Sequence, residues 1–510
     1  MRDREQRRSS RREKRRQRRA VPAAVPVKPL RQLFAPYRVL DEEGIEAVHR
    51  ASMRLLKEVG ILIVDYSPLL DTFRAHGAKI EDNLVKIDED TLMHFVRQAP
   101  PSFTLLARDP ANNMPIGGPF TVFAPVYGPP FVADLDNGRR QATLEDFKNF
   151  VKLTYMTPYL HHSGGTVVEP NDIPVPVRHL DMLMAHITLS SKGFMGSVTH
   201  PDNARDTVAM AEILFGPDTI RQNPAVISLI NVSSPLRFDD RMLGALEVYA
   251  RARQAVVVTP FIVAGAMSPA TMAGTLAQQN AEALFGIAYA QMINPGTPCV
   301  YGSFLSNIDM KTGAPCFGTP ENALALFAGA QMARYYNLPY RSGGNFTAAC
   351  SPDAQAGYES ASTIWPTILA GVNFVLHAAG WLEGGLIAGY EKFILDLEMC
   401  GMMTRFMQGI GLTEDDFAWD AFQEAGPGQH FLGTQHTTRH YETAFYQHSV
   451  FSMDNYEKWA EDGSPTAFQR ANAIWKRMLK AYEPPPLDPA IAEQLEDFVT
   501  RRRAEIQNAR

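Results

Sequence analysis

Cysteine is scarce in this sequence and never paired. Cys299, Cys316, Cys350 and Cys400 are scattered through 510 residues with no C-x-x-C spacing. That gives no support to a disulfide framework or a Cys-rich zinc site, and it fits a reducing cytoplasm. Long apolar runs are missing too. The longest, around Val256 to Met267, is interrupted by Pro260 and is too short to span a bilayer. The charged N-terminus has no apolar stretch behind it, which is not the pattern of a secretory signal. No G-x-G-x-x-G follows a strand-like run, and G-x-x-x-x-G-K-[ST], H-E-x-x-H and G-x-S-x-G are absent. Dinucleotide binding, P-loop chemistry, zincin proteolysis and nucleophile-elbow hydrolysis therefore have no motif behind them.

The remaining composition is that of a large globular protein, with 45% hydrophobic and 20% charged residues. Charge is uneven. Residues 1–20 hold eleven Lys/Arg against three Asp/Glu, yet the whole chain has 49 against 55. The body is acidic, a poor nucleic-acid surface, so no specific nucleic-acid partner is expected. Residues 1–28 read as a disordered basic arm.

Residues 41–59 carry a helical apolar face, with Asp41 as its cap and Gly60 as its stop. A second helix is expected over 89–98. Phe120 to Val132 is β-like, Asp136-Asn137-Gly138 signals a turn, and Thr143 caps a helix through Tyr155. From about residue 158 apolar runs alternate with helix-length segments. The runs cover 160–168, 193–198, 225–231, 255–264, 298–304, 338–344 and 372–379. Helices are expected near 174–190, 201–215, 238–253, 269–293, 319–336, 354–370 and 387–409. Runs apolar on both faces suit a buried parallel sheet, either a TIM-like barrel or a doubly wound sheet. An eighth strand falls in the Phe120–Val132 region or around His430–Gly433.

In a parallel sheet of this kind chemistry gathers where strands end. Here those ends read Tyr301-Gly302-Ser303-Phe304, Tyr340-Arg341-Ser342-Gly343-Gly344 and His377-Ala378-Ala379-Gly380-Trp381. Aromatic faces attract quaternary ammonium groups, Arg341 can fork onto a carboxylate, and His377 can position or protonate a ligand. The set suits a small cation that also carries an anion. His436 and His440 stand at i, i+4 spacing beside His430, but no third ligand of good spacing accompanies them, so no metal is expected.

Several segments resemble the trimethylamine methyltransferase family. They are Leu40-Asp41-Glu42-Glu43 through Leu56-Lys57-Glu58-Val59-Gly60, Ala107-Arg108-Asp109-Pro110, Tyr340-Arg341-Ser342-Gly343-Gly344, Asp353-Ala354-Gln355-Ala356-Gly357-Tyr358-Glu359, and His430-Phe431-Leu432-Gly433 with His436-Thr437. The resemblance runs from about residue 35 to 480. It implies an α/β fold with a TIM-like (β/α)8 barrel over 158–410. An N-terminal helical and β layer over 29–157 and a C-terminal helical extension over 411–510 complete the expected organisation. Archaeal trimethylamine enzymes of this family contain pyrrolysine in the barrel. Only standard residues occur here from Gly344 to Asp353, as in the branch without pyrrolysine that includes glycine betaine methyltransferases. The resemblance implies transfer of a methyl group from glycine betaine or a similar quaternary amine to the cobalt(I) of a separate corrinoid protein. No tightly bound cofactor is implied, and a homo-oligomer is expected. Arg341 is the expected carboxylate anchor, His377 the catalytic or positioning group, and Tyr301, Phe304, Tyr340 and Trp381 the cage. Two alternatives stay open, namely trimethylamine or another methylamine as substrate, and a betaine-binding protein without turnover.

Overall fold

The computed structural model describes residues 27–508. The basic arm therefore lies almost wholly outside the described residues. The chain forms a mixed α/β fold whose centre is a parallel sheet. In chain order its strands are β1 (Phe120–Phe123), β2 (Phe194–Met195), β3 (Val226–Val232), β4 (Ala255–Ala264), β5 (Cys299–Gly302), β6 (Phe304–Ile308), β7 (Tyr340–Arg341) and β8 (Phe374–Val375). The main path runs β2-β3-β4-β5-β7-β8-β1, every neighbour parallel. β6 continues beside the far end of β4. A TIM barrel is not established by this ladder, which does not return from β1 to β2 through strands. Residues 161–164 lie between those two ends instead. His161 and His162 donate backbone bonds to the Phe123 carbonyl, Ser163 donates to Gly193, and Met195 donates to Gly164, at 2.8–3.2 Å.

The helices between strands fall where the apolar periodicity places them. They cover Arg178–Leu189, Pro201–Phe215, Asp240–Arg251, Met272–Ile293, Pro320–Tyr335, Ala354–Ala370 and Tyr390–Phe406. Their starts obey capping chemistry: Asp239, Thr319 and Asp353 each accept a bond from a first-turn N–H. The helix Leu144–Met156 begins with a Thr143/Asp146 capping box. Asp41 caps Glu42–Arg54, which ends in a π-turn at Gly60 with φ +88°.

The expected eighth strand is β1, from the segment assigned to the N-terminal layer. His430–Gly433 forms no strand. The expected strand at 160–168 does not form; backbone bonds of residues 161–164 tie this segment to its neighbours, and Gly164 turns the chain at φ +89°. The expected strands 338–344 and 372–379 shrink to two residues each. Gly343, Gly344 and His377 all take positive φ, which ends ladder pairing just beyond Arg341 and Val375. The antiparallel pair Ser102–Leu105 and Met114–Gly117 extends the sheet past β1. Its Leu105, Met114 and Ile116 pack with Val257, Val300 and Phe374 into one apolar cluster. No helix among the described residues is long and apolar enough to cross a membrane.

Candidate active site

Strand alternation sorts the predicted residues into two groups. Tyr340 and Arg341 are adjacent on β7 and face opposite sides. The Tyr340 hydroxyl donates to the Leu326 carbonyl at 3.2 Å, toward the helix layer. Tyr301 does the same from β5, donating to Asn280 at 2.8 Å and to Gln279 at 3.1 Å. These two tyrosines are tied to the helices and stand outside the ring cluster, away from the place in a cage expected for them.

Arg341, Phe304, His377 and Trp381 do come together. The guanidinium carbon of Arg341 lies 5.3 Å from the Phe304 ring centre. The His377 imidazole stacks on Phe304 with centroids 5.5 Å apart and meets Trp381 edge-on at 4.5 Å. Phe346 and Phe317 close the cluster, each within 6.0 Å of both Phe304 and Trp381. Neither of these two phenylalanines was singled out from sequence. Phe346 follows Gly343-Gly344 on a strand-end loop, and that proximity was the available signal. Phe317 comes from a loop whose placement only the fold decides.

Arg341 is 1% exposed, and its Nε and Nη1 have no hydrogen-bond partner among the described residues. No carboxylate among the described residues pairs with it. Burial pulls its pKa down to about 10, so it stays charged at neutral pH. A buried, charged and unpaired guanidinium is costly unless something else completes it. An unpartnered buried oxygen lies two strands away. Thr259 of β4 sits beside Gly302, which pairs in register with Arg341, and the Thr259 Oγ1 has no partner among the described residues. A Cβ at position 302 would collide with that hydroxyl, so glycine is required for the close approach.

His377 is held tightly. Its backbone has φ +66°, costly for a side-chain-bearing residue. The strain is clamped from both sides: its N–H donates to Pro125 and its carbonyl accepts from Asn345, each at 3.0 Å. Gly344 packs under that carbonyl, where a Cβ would stand 2.6 Å from it. The ring Nδ1 accepts the Tyr127 backbone N–H at 3.2 Å, which leaves Nε2 as the ring's donor. Burial, reinforced by the Arg341 charge, holds the imidazole well below its ordinary pKa and therefore neutral. Behind the ring cluster Lys392 and Asp396 form a buried pair at 2.5 Å. Asp396 also accepts from the Gly380 N–H, and Lys392 donates to the Asn345 carbonyl. This pair fixes both loops that carry the site.

The carboxyl end of the central sheet of this α/β protein thus gathers a buried guanidinium with two nitrogens unpartnered among the described residues, one neutral imidazole and a wall of aromatic rings. The chain belongs to the trimethylamine methyltransferase (MTTB) family, whose profile matches residues 4–507. It is 45% identical over 476 residues to a glycine betaine methyltransferase of Desulfitobacterium hafniense strain Y51, covering 93% of this chain and 99% of that protein. A proline betaine:corrinoid methyltransferase of Eubacterium limosum is 30% identical, covering 81% of this chain and 87% of that protein. A trimethylamine methyltransferase of Desulfitobacterium hafniense strain DSM 10664 / DCB-2 is 28% identical, covering 92% and 95%.

Proposed function

We propose that this protein takes a methyl group from glycine betaine, or a closely similar carboxylated quaternary amine, and delivers it to the cobalt of a separate corrinoid protein. The observation that carries this reading is Arg341, whose buried Nε and Nη1 lack partners directly beside an aromatic wall. A betaine holds its carboxylate and its trimethylammonium two bonds apart, so one compact site must meet both. Arg341 takes the carboxylate in a forked, charge-assisted pair. His377 adds a neutral N–H donor from Nε2. The rings of Phe304, Phe317, Phe346 and Trp381 face the ammonium. Trimethylamine has no carboxylate and would leave Arg341 unpaired. Two of the relatives, at 45% and 30% identity, carry betaine names, which favours the same branch.

The corrinoid supplies the methyl acceptor when its protein is docked. This chain binds, orients and dries the donor. The nitrogen keeps the electron pair of the broken C–N bond and leaves as a neutral tertiary amine, so no proton is needed at that step. The ammonium charge vanishes along the way, so an aromatic wall stabilises the bound substrate more than the transition state. Orientation through the carboxylate, whose charge is constant, carries the catalytic gain. His377 is assigned as a positioning donor, because a depressed pKa makes it a poor proton source at neutral pH.

The four backbone bonds of residues 161–164 support a further reading, that the sheet closes into a TIM-like barrel with these residues in the second position. The corrinoid protein would then dock over the carboxyl ends of the strands. The four unpaired cysteines fit a cytoplasmic protein. Large apolar side chains exposed between residues 410 and 456 fit a homo-oligomer.

The test is anaerobic. Purified protein is mixed with reduced cobalamin and glycine betaine, with trimethylamine in parallel, and the spectrum of methylated cobalamin is followed. Methylation from betaine and not from trimethylamine is expected. Methylation from trimethylamine alone would overturn the assignment of Arg341. Betaine binding by calorimetry without methylation, even with a corrinoid protein present, would make this a binding protein.

A further inference from the structure

The segment from residue 411 to 445 has almost no core. Only Ala421 and Thr434 are buried in it. Large apolar side chains face outward instead, including Trp419 at 68% exposed and Leu432 at 82%. Its helices are short: Glu414–Phe417, Trp419–Ala425 and Gln435–His440. Apolar burial does not account for how these pieces keep their arrangement, and small units without a core commonly rely on a metal or a disulfide. The described cysteines are all unpaired, and none lies in this segment.

Three side chains do converge here. His436 and His440 are one turn apart with ring centroids 4.4 Å from each other. Both direct Nε2 at Asp415, which lies in the helix Glu414–Phe417. His440 Nε2 is 2.9 Å from the Asp415 carboxylate. His436 Nε2 is 2.8 Å from the Asp415 carbonyl and 4.0 Å from its carboxylate. One ligand atom from each residue lies within 4.8 Å of the other two. Asp416, not Asp415, closes the capping box with Thr413, so the Asp415 carboxylate is not needed by the helix end. Arg439 approaches the same carboxylate at 3.5 Å but is equally close to Asp420. The segment is otherwise acidic, with Glu414, Asp416, Asp420, Glu424 and Glu442.

We infer that Asp415, His436 and His440 form a zinc site that staples the two short helices together. Two imidazoles and a carboxylate are borderline-soft nitrogen and oxygen ligands, which favour Zn²⁺ over calcium or magnesium. Around a tetrahedral zinc with bonds of about 2.0–2.1 Å, ligand atoms stand roughly 3.3 Å apart. Small side-chain rotations bring the three atoms to that spacing, with water in the fourth position. The site shares no residue with the one around Arg341, and it stands or falls independently of the proposed reaction.

The test uses untagged full-length protein stripped with a chelator and titrated with Zn²⁺ against a chromophoric competitor. One zinc per chain is expected, bound at least tenfold more weakly by H436A, by H440A and by D415N. These side chains are exposed or half-buried, so the variants fold. Limited proteolysis gives a second readout: zinc slows cleavage within 411–445 in the parent and not in H436A/H440A. Equal zinc affinity in the parent and in H436A/H440A would overturn the site. Tight binding by the parent with no protection of 411–445 would overturn the staple.

Discussion

Lys192 and Arg341 are both cations buried with no carboxylate beside them among the described residues, and they are treated in opposite ways. Lys192 donates to the carbonyls of Thr154, Thr157 and Leu160 at 2.8, 2.9 and 2.7 Å. Burial pulls its pKa to about 7, while three oxygens aimed at one ammonium solvate the charged form. Every proton of that amine is used, so nothing more can bind there. Arg341 has two nitrogens with no partner among the described residues, and its guanidinium lies over the Phe304 ring. A cation that serves the fold is saturated by the fold. Under the proposed function, one that serves a ligand is held in place with donors left for it. On that proposal Lys192 is a structural charge and Arg341 a binding charge.

Arg341→Ala should lower kcat/KM for a betaine by roughly a thousandfold, about 4 kcal/mol, since it removes a desolvated partner of the carboxylate. Unfolding of the ligand-free protein should be no easier than in the parent. A variant that lost stability and kept its KM would place Arg341 with Lys192.

The next effect comes from acid. His161 neighbours Lys192, and His162 lies under Phe374. Burial holds both near a pKa of about 3, with the Lys192 charge adding to the shift on His161 and His186 adding to that on His162. Their folded pKa lies below the unfolded one, so the unfolded chain binds more protons below pH 6.5. Stability is unaffected by them above that value and falls as pH drops below it. The two together should cost about 3 kcal/mol at pH 5.5. Denaturant titrations at pH 7.5 and 5.5 measure this, and a flat profile would contradict the burial of these rings.

Lys192→Met should cost about 2–3 kcal/mol of stability, because three carbonyls lose their donor in a buried place. Betaine affinity measured on the folded fraction should be unchanged. Phe304→Leu should have the smallest effect, roughly tenfold in betaine affinity, or about 1.4 kcal/mol, with kcat little altered. A larger loss in kcat than in affinity would mean that the ring acts in the transition state.

Much of this was legible beforehand, and the gaps have physical causes. The helices Pro201–Phe215 and Ala354–Ala370 match their periodic segments residue for residue, because burial period and caps agree locally. Arg341 and His377 stood out because strand ends collect polar groups. Tyr301 and Tyr340 were misplaced although the remedy was local: Tyr340 and Arg341 are neighbours on a strand and must face opposite sides. Phe317 and Phe346 were missed because loops have no period to read. Asp415 was missed because it meets His436 and His440 only through the fold, from 21 residues away. β1 was legible as a strand but its place in the sheet was not, since its partner β8 comes from the far side of the chain.

That last pairing sets the order in which the protein can be made. The Tyr127 N–H and the His377 ring are 250 residues apart in sequence, and β1 meets β8 just beneath them. During synthesis β1 emerges early and waits for its parallel neighbour until β8 has left the ribosome. Closing so long a loop adds only a slowly growing entropic cost, but it delays completion of the sheet. Until then one edge of β1 offers unpaired N–H and carbonyl groups to any passing strand. Chains interrupted before Phe374 are therefore expected to aggregate and not to persist as soluble fragments.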